Sequence, residues 1–384
     1  MAGDPRCDPG PGTRVTTTGG FFVVKVTLMM RTAGIATITA LGLAACGGGS
    51  GGGNSGGGMG SANSLNPQGS TFQETLQQQW ATNFHSSNPS AQITYTGSGS
   101  SAGIEAFQTG QSSFAGSDVT MTADQQSAAN ATCGSSALTI PITSGGVAIM
   151  YNLPSLTKPL NLSADTLAGI FMGKITTWND AAIAADNPGV SLPSTGISVF
   201  HRADGSGTTN VLSGFLDATA SSVWTLGVNK EFSNWPVGQG ATGSSGVAQG
   251  VKNTPGGITY AEVTYAKQDG LQTAAIKGAQ GGFVQISSAT VAKSIKSGFS
   301  ITGTAPDLAG TLSFTSMTGY PISTVSYVLV CSTYKDAGLG TLVRKYLTYA
   351  AGPGQDVGTS LGFAPLPKSL DNKVLASIAT INQS

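Results

Sequence analysis

Charged side chains are scarce in this 384-residue chain, at 9% of its residues, against roughly 25% in an average soluble domain. Lysine plus arginine and aspartate plus glutamate number 18 each, so the formal net charge is zero. Such a chain has no basic surface with which to hold nucleic acid, and its net charge cannot steer an anion toward it. Any anion that it binds must be held by local donors.

Histidine is rarer still, with two residues, His85 and His201. His, Cys, Asp and Glu occur nowhere with the spacing of a metal site, so we expect neither a metal nor a cofactor. Ser206 could act as a nucleophile only beside a general base. His85 follows a predicted helix far from that serine, which argues against a hydrolase.

The N-terminal apolar run, residues 33–45, is shorter than the roughly 20 residues that span a bilayer. A basic region, a short apolar run and small residues are typical of a secretory signal, here residues 1–45. Leu-Ala-Ala before Cys46 resembles the lipobox of bacterial lipoproteins, which predicts cleavage before Cys46 and lipidation of its thiol. The alternative is an ordinary export signal followed by a chance cysteine. Residues upstream resemble neither a signal nor a domain, which favours Met29 or Met30 as the translation start.

Glycine and serine make up almost all of residues 47–60. Such a tract cannot bury enough apolar surface to fold, so we expect residues 46–66 to form a lipidated, flexible tether. Fourteen residues of this kind have a root-mean-square reach of roughly 20 Å.

The body alternates predicted strands with predicted helices, which favours an α/β fold. Apolar residues at four-residue spacing predict a helix over 71–84, and another is expected over 164–171. We expect strands over 91–96, 114–118, 137–142, 146–151, 196–201, 257–260 and 322–331.

Three segments combine a strand, a Gly/Ser/Thr turn and a helix start: those near residues 70–71, 100–101 and 205–208. Ligands of open α/β sheets lie at the carboxyl ends of strands, so these turns and Asp118 are expected to face one cleft. Each turn alone could be an ordinary helix cap. The third follows Arg202 and Asp204, so a guanidinium, backbone N–H groups and two hydroxyls would meet there, as a buried oxyanion requires.

With these residues identified, the body from about residue 69 onward resembles the phosphate-binding protein of the bacterial phosphate ABC transporter. The matches follow one another in order, at residues 69–72, 99–101, 114–118, 167–180, 202–208 and 255–262. The lipobox and tether resemble those of the Gram-positive, lipid-anchored branch, especially its actinobacterial members.

The resemblance implies a two-lobed, periplasmic-binding-protein-like (type II) fold with two hinge crossovers, near residues 141–143 and 320–322. Lobe 1 would comprise residues 67–142 and 321–384, and lobe 2 residues 143–320. Cys133 and Cys331 would each lie eight to ten residues from a crossover. Antiparallel neighbours would bring them level, so we predict a disulfide within lobe 1.

The resemblance also implies the ligands of a phosphate ion, with Asp204 orienting the arginine: Thr71, Phe72, Ser100, Asp118, Arg202, Ser206, Gly207 and Thr208. His201 need not touch the ion. A carboxylate at Asp118 would accept a proton from monobasic or dibasic phosphate, whereas sulfate at neutral pH has none to offer. Because a buried carboxylate without a partner is costly, Asp118 would reject sulfate.

The function implied is that of a high-affinity phosphate receptor on the extracytoplasmic face of the cell membrane, anchored by its lipid. Its partners would be inorganic phosphate and the transmembrane subunits of an ABC import permease, and we expect a monomer without enzymatic activity. The alternatives are a receptor for another oxyanion (sulfate, molybdate or phosphonate), a surface phosphatase or hydrolase using Ser206, and an adhesin or signalling lipoprotein.

Overall fold

The computed structural model describes residues 58–382. The expected signal, both candidate start sites and the lipidation site at Cys46 lie outside these residues, as does most of the tether. In the part of the chain that is described, no helix has the length and apolar character needed to cross a membrane.

The described residues form an α/β structure, which confirms the predicted class. The helices are α1 (Glu74–Ser87), α2 (Ser100–Gln108), α3 (Ala123–Cys133), α4 (Ala164–Phe171), α5 (Ala181–Asp186), α6 (Gly207–Thr219), α7 (Gly243–Lys252), α8 (Val263–Asp269), α9 (Ser288–Gly298), α10 (Ala337–Ala351), α11 (Gln355–Leu361) and α12 (Lys368–Ala379), with a 3-10 turn at Phe314–Ser316. The strands are β1 (Gly60–Ser61), β2 (Ser64–Leu65), β3 (Gln68–Gly69), β4 (Gln92–Ile93), β5 (Thr96–Gly97), β6 (Ala115–Ser117), β7 (Ala137–Tyr151), β8 (Asn161–Leu162), β9 (Ser198–Arg202), β10 (Gln239–Ala241), β11 (Gly257–Glu262), β12 (Gln272–Thr273), β13 (Ala275–Lys277), β14 (Phe283–Val284), β15 (Phe299–Ile301), β16 (Gly310–Leu312) and β17 (Ser323–Cys331).

A nine-stranded sheet lies at the centre of the structure, in the order β10-β9-β11-β7-β17-β6-β3-β5, with β12 also pairing with β7. Antiparallel β7 and β17 form its middle. On one side of this pair, the C-terminal part of β7 pairs with β11, which pairs with β9. On the other side, β17 pairs with β6, which pairs with β3. The ends of β6 and β9, which carry the candidate site, therefore belong to opposite sides of this central pair.

β7 is one 15-residue strand, where the sequence predicts two strands separated by residues 143–145. That prediction is wrong because these small polar residues are buried and pair with β17 between Thr324 and Ser326. The register shifts between Ser326 and Tyr327, so Ile142 is the extra residue of a β-bulge. The shift falls at the expected crossover near 141–143, whereas the lobe boundaries stay a prediction.

The other predicted elements form close to their expected bounds. α4 spans the predicted residues, but α1 begins at Glu74 instead of residue 71 because the preceding residues form a turn. The expected strand at 91–96 is divided into the short strands β4 and β5, which pair with β2 and β3. Leu76, Trp80 and Phe84 are buried on one face of α1, as their spacing predicts.

Cys133 and Cys331 form the predicted disulfide, with their Cα atoms 5.5 Å apart. Cys133 ends α3 and Cys331 ends β17, so the bond ties a surface helix to the central strand pair. It closes a segment of 198 residues. A loop of that length restricts the unfolded chain by about 5 kcal/mol in the chain-entropy description.

Candidate anion site

Arg202 ends β9 and is 3% exposed. Its Nε donates to Asp204 Oδ1 at 2.7 Å and its Nη2 donates to Asp204 Oδ2, so the carboxylate holds one edge of the guanidinium in a fork. Nη1 points elsewhere and donates to Ser244 Oγ at 3.3 Å. The ion pair fixes the orientation of the guanidinium. The N–H groups of its second edge, which do not face Asp204, can donate hydrogen bonds to a ligand.

Asp204 is the charge partner of this arginine. Burial alone would raise the pKa of Asp204, but the hydrogen bonds and charge of Arg202, with the Gly243 N–H at 3.0 Å, hold it below its ordinary value. Asp204 is therefore ionised at neutral pH. It orients Arg202 and offsets its charge.

The start of α6 supplies the next side of the site. Ser206 caps the helix, with its Oγ accepting from the Thr209 N–H at 3.2 Å. Thr208 follows in the first turn, and its buried Oγ1 has no hydrogen-bond partner among residues 58–382. Tyr260 on β11 anchors this region, because its hydroxyl contacts the Arg202 N–H at 3.2 Å and Thr209 Oγ1 at 2.7 Å.

Gly207 is the point at which α6 meets the opposite wall of the site. A Cβ at this position would lie 2.5 Å from Asp118 Cβ and 2.7 Å from Ser100 Oγ. Any side chain would therefore push the helix start away from those residues. Glycine is needed here for close approach.

Asp118 follows β6 and is 4% exposed. Its Oδ2 accepts from Ser70 Oγ at 2.6 Å and its Oδ1 accepts from Ser326 Oγ, while its backbone N–H donates to Ser100 Oγ at 3.2 Å. Burial raises the pKa of Asp118, and the two serine hydroxyls and the charge of Arg202 limit that rise. The carboxylate is thus held by hydroxyl groups and has no ion-pair partner among the described residues.

Thr71 joins the two walls. Its Oγ1 shares a 2.8 Å hydrogen bond with Ser244 Oγ and accepts from the Ser244 N–H at 3.3 Å. Its carbonyl oxygen accepts from the Tyr265 hydroxyl at 2.9 Å. Phe72 follows in the same turn. Its N–H donates to Ser70 Oγ at 3.1 Å, and its ring packs edge-on against that of Phe363.

The structure thus brings all the sequence-predicted site residues into one cluster, buried except for the half-buried Asp204, which we call the anion site: Thr71, Phe72, Ser100, Asp118, Arg202, Asp204, Ser206, Gly207 and Thr208. His201 lies beside it, stacked on Trp235 with ring centroids 4.7 Å apart. Burial lowers the pKa of His201. No group of three or more His, Cys, Asp or Glu residues that could hold a metal occurs within the described chain.

Sequence reasoning placed the turn at residues 70–71 in the cleft without giving the Ser70 side chain a role, and it missed two further serines that contact the anion site, Ser244 and Ser326. Ser244 could have been found, because residues 242–244 are a fourth Gly/Ser/Thr segment that begins a helix. Ser326 lies inside a strand that is buried throughout, where no local pattern distinguishes it from a core serine.

Electrostatically, the anion site combines one positive side chain with two carboxyl groups, so it carries a net charge of −1 whenever both carboxyl groups are ionised. An anion can be held there only by neutral dipoles, the free edge of Arg202 and the start of α6. An anion that carries a proton can also donate it to Asp118. A fully deprotonated anion has no such bond to make.

The sequence matches the family model of the PBP superfamily domain over residues 56–353. Phosphate-binding protein PstS 3 of Mycobacterium tuberculosis is 36% identical over 362 residues, covering 91% of this chain and 97% of that protein. Phosphate-binding protein PstS 2 of the same species is 38% identical over 354 residues, with coverages of 88% and 95%.

Solved structures of phosphate-binding proteins are similar to this chain as well. A high-affinity periplasmic phosphate-binding protein, PfluDING, solved with bound phosphate, has a TM-score of 0.64 and 25% identity, covering 82% of this chain and 93% of that one. The phosphate-binding protein from Stenotrophomonas maltophilia has a TM-score of 0.66 at 22% identity, with coverages of 82% and 93%, and shows the shared fold. The chain therefore belongs to the PBP superfamily and, within it, to the PstS family of phosphate-binding proteins.

Proposed function

We propose that this protein binds inorganic phosphate outside the cytoplasm and delivers it to an ABC-type import permease. The observation that carries the proposal is Asp118, a buried carboxylate without an ion pair, facing the start of α6 beside Arg202. A site of this kind selects a tetrahedral anion that still carries a proton. Dibasic and monobasic phosphate meet this requirement at neutral pH, and sulfate does not.

Eight residues would hold the ion. Arg202 would donate from its free edge, and Ser206, Gly207 and Thr208 would donate from the start of α6. Thr71, Phe72 and Ser100 would supply N–H and hydroxyl groups from the opposite wall. Asp118 would accept the proton of the anion. The buried Thr208 Oγ1, which lacks a hydrogen-bond partner among the described residues, supports this assignment.

Delivery would use closure of two lobes, residues 67–142 with 321–384 and residues 143–320, about the crossovers in β7 and before β17. The contacts between Thr71 and both Ser244 and Tyr265 join segments from the two proposed lobes, as expected of a closed form. Phosphate touching both walls would stabilise this form by differential contacts. The permease would then recognise it.

The proposed location is the outer face of the cell membrane, with a lipid on Cys46 and a flexible tether. The lipobox before Cys46 and the Gly/Ser tract support this. We propose a monomeric binding protein that does no chemistry on its ligand. The contacts of Ser206 agree, because its Oγ caps α6 and its N–H donates to the Lys230 carbonyl at 2.8 Å.

Isothermal titration of the mature chain, with Cys46→Ser to prevent lipidation, tests the proposal. Phosphate should bind one-to-one at pH 8, and sulfate should bind more weakly by a factor of about 10⁴–10⁵, as expected when a buried polar group is left unpaired. Molybdate and a phosphonate would be titrated alongside. Sulfate affinity within tenfold of phosphate affinity, or no binding of phosphate, would contradict it.

A further inference from the structure

We propose that Ser326 is a specificity-determining residue that orients Asp118 as a proton acceptor and so keeps sulfate out of the anion site. The inference rests on the proposed phosphate-binding function. It concerns a residue of the central strand β17, 208 positions away from Asp118 along the chain.

Ser326 has one hydroxyl proton, and its surroundings decide where that proton goes. Gln73 Nε2 donates to Ser326 Oγ at 2.7 Å, so this oxygen acts as an acceptor on that side. Its own proton is then directed to Asp118 Oδ1, since the other acceptor nearby, the Ser117 carbonyl, is 3.4 Å away. The direction of the hydrogen bond to the carboxylate is therefore fixed.

The orientation of Gln73 is fixed in turn by further buried groups. Its Oε1 accepts from Gln77 Nε2 at 2.9 Å, and Gln77 Oε1 accepts from the Tyr346 hydroxyl at 2.8 Å. Gln73 Nε2 also donates to the Tyr327 carbonyl at 2.7 Å, which holds its amino group toward β17. Four uncharged side chains thus form a one-directional chain from Tyr346 to Asp118. Such chains polarise each member and strengthen the last hydrogen bond.

This chain ends at the β-bulge of the central strand pair, where the register shifts just after Ser326. The extra residue of this bulge, Ile142, belongs to β7, and Ser326 lies beside it on β17. From there the Ser326 hydroxyl donates to one oxygen of the carboxylate, while the Ser70 hydroxyl donates to the other. Asp118 is therefore held on both oxygens by neutral donors, which favour its ionised, acceptor-only form.

Loss of the Ser326 hydroxyl would change the protonation of Asp118 in a defined direction. Burial raises the pKa of Asp118, and the hydrogen bond from Ser326 lowers it, so its removal raises the pKa further. As pH falls, a larger fraction of Asp118 would then carry a proton. A protonated Asp118 can donate a hydrogen bond to sulfate, so the anion site would no longer reject that ion.

The other ionisable groups that face Asp118 do not produce this effect. Arg202 is paired with Asp204, whose pKa lies below its ordinary value. Burial raises the pKa of Tyr95 and of Tyr327 above that of free tyrosine, so both stay neutral below pH 8. Acid-induced sulfate binding would therefore report on the protonation of Asp118.

The experiment compares Ser326→Ala with Ser323→Ala, a matched control three residues earlier on β17. Ser323 is also fully buried, but its hydroxyl donates to the Tyr320 carbonyl at 2.6 Å. Phosphate and sulfate affinities would be measured from pH 5 to pH 8.5 for both variants and the wild type. Ser326→Ala should bind sulfate at least tenfold more tightly than wild type at pH 5.5, with the difference shrinking toward pH 8.5. Ser323→Ala should match wild type throughout.

Ser326→Thr keeps the hydroxyl and should restore rejection of sulfate. If Ser326→Ala does not fold, Gln73→Met removes the amide that directs the Ser326 proton and should give a smaller shift in the same direction. A folded Ser326→Ala or Gln73→Met protein that rejects sulfate like wild type at every pH overturns the inference. The wild-type titrations test the proposed function separately, because failure of phosphate binding there would remove the premise and not merely the role of Ser326.

Discussion

The two carboxylates of the anion site are the same kind of residue in opposite surroundings. Asp204 follows β9 and forms a forked ion pair with Arg202, which brings its pKa below the ordinary value. Asp118 follows β6, on the other side of the central strand pair, and is held by the hydroxyls of Ser70 and Ser326, while burial raises its pKa. Position in the sheet therefore gives one acid a cation and the other only neutral donors.

The difference teaches that charge balance and selectivity are separate tasks in this site. Asp204 directs and offsets the guanidinium, so the pair contributes little net charge. Asp118 then sets the net charge that an incoming anion meets. Under the proposed function, an anion is accepted when its own proton bonds to that carboxylate, which is a chemical test that charge attraction alone could not make.

The largest change should follow from Arg202→Ala, which would remove the ion-pair partner of Asp204 and the one cationic side chain of the anion site. Removing one member of a buried pair typically costs about 3–5 kcal/mol, so phosphate binding should weaken by about 100- to 4,000-fold. Titration calorimetry measures this directly. Arg344→Ala is the control, since Arg344 donates to the Ile381 carbonyl, away from the site. Retention of phosphate affinity within tenfold would contradict a role for Arg202 in holding the ion.

A paired substitution tests whether the two carboxylates have different tasks. Asp118→Asn replaces an obligate acceptor with an amide that can donate, so sulfate affinity should rise at least about 100-fold, because a penalty of several kcal/mol is removed. Asp204→Asn is the matched change. It should weaken phosphate binding through a less ordered Arg202, without admitting sulfate. Competition between phosphate and sulfate at pH 8 distinguishes the two variants. An equal increase in sulfate affinity in both would show that the two carboxylates do not have different tasks.

The parts of this site that sequence could predict are those encoded locally. Arg202 through Thr208 form one continuous strand–turn–helix motif, and the N-terminal segments at residues 70–71 and 100–101 repeat its pattern. Turn residues and helix caps depend on near neighbours, so their types at fixed spacing are informative. The disulfide followed from the family likeness, which supplied the long-range arrangement that spacing alone lacks.

The parts that could not be predicted depend on contacts between distant segments. Ser244 reaches Thr71 across 173 positions and Ser326 reaches Asp118 across 208. A serine in a buried strand has no local signature that separates it from core packing. The same reason explains β7, in which residues 143–145 look like a turn until β17 pairs with them.

Glu262 offers a third carboxylate that sharpens the comparison, because it is fully buried and lies outside the anion site. It caps α8, with its Oε2 accepting from the Thr264 N–H at 2.9 Å, and its Oε1 has no hydrogen-bond partner among residues 58–382. Burial raises the pKa of Glu262 to about 8. Burial without an ion pair thus has the same direction of effect on Glu262 as on Asp118, where specific donors oppose it.

Glu262→Gln should consequently change stability and not selectivity. The folded protein binds more protons at Glu262 than the unfolded chain between about pH 4.5 and pH 8, so wild-type stability should fall as pH rises through that range. Glutamine has no charge to desolvate. The variant should gain about 1–3 kcal/mol relative to wild type at pH 9, after allowance for an amide left partly unpaired, and little at pH 4.5. Urea unfolding from pH 4.5 to 9 measures this, with the exposed Glu105→Gln as the control for loss of charge. Because Glu262 lies outside the anion site, the variant should still bind phosphate and reject sulfate. A new affinity for sulfate would show that the burial of any carboxylate in this region, and not the placement of Asp118, sets the selectivity.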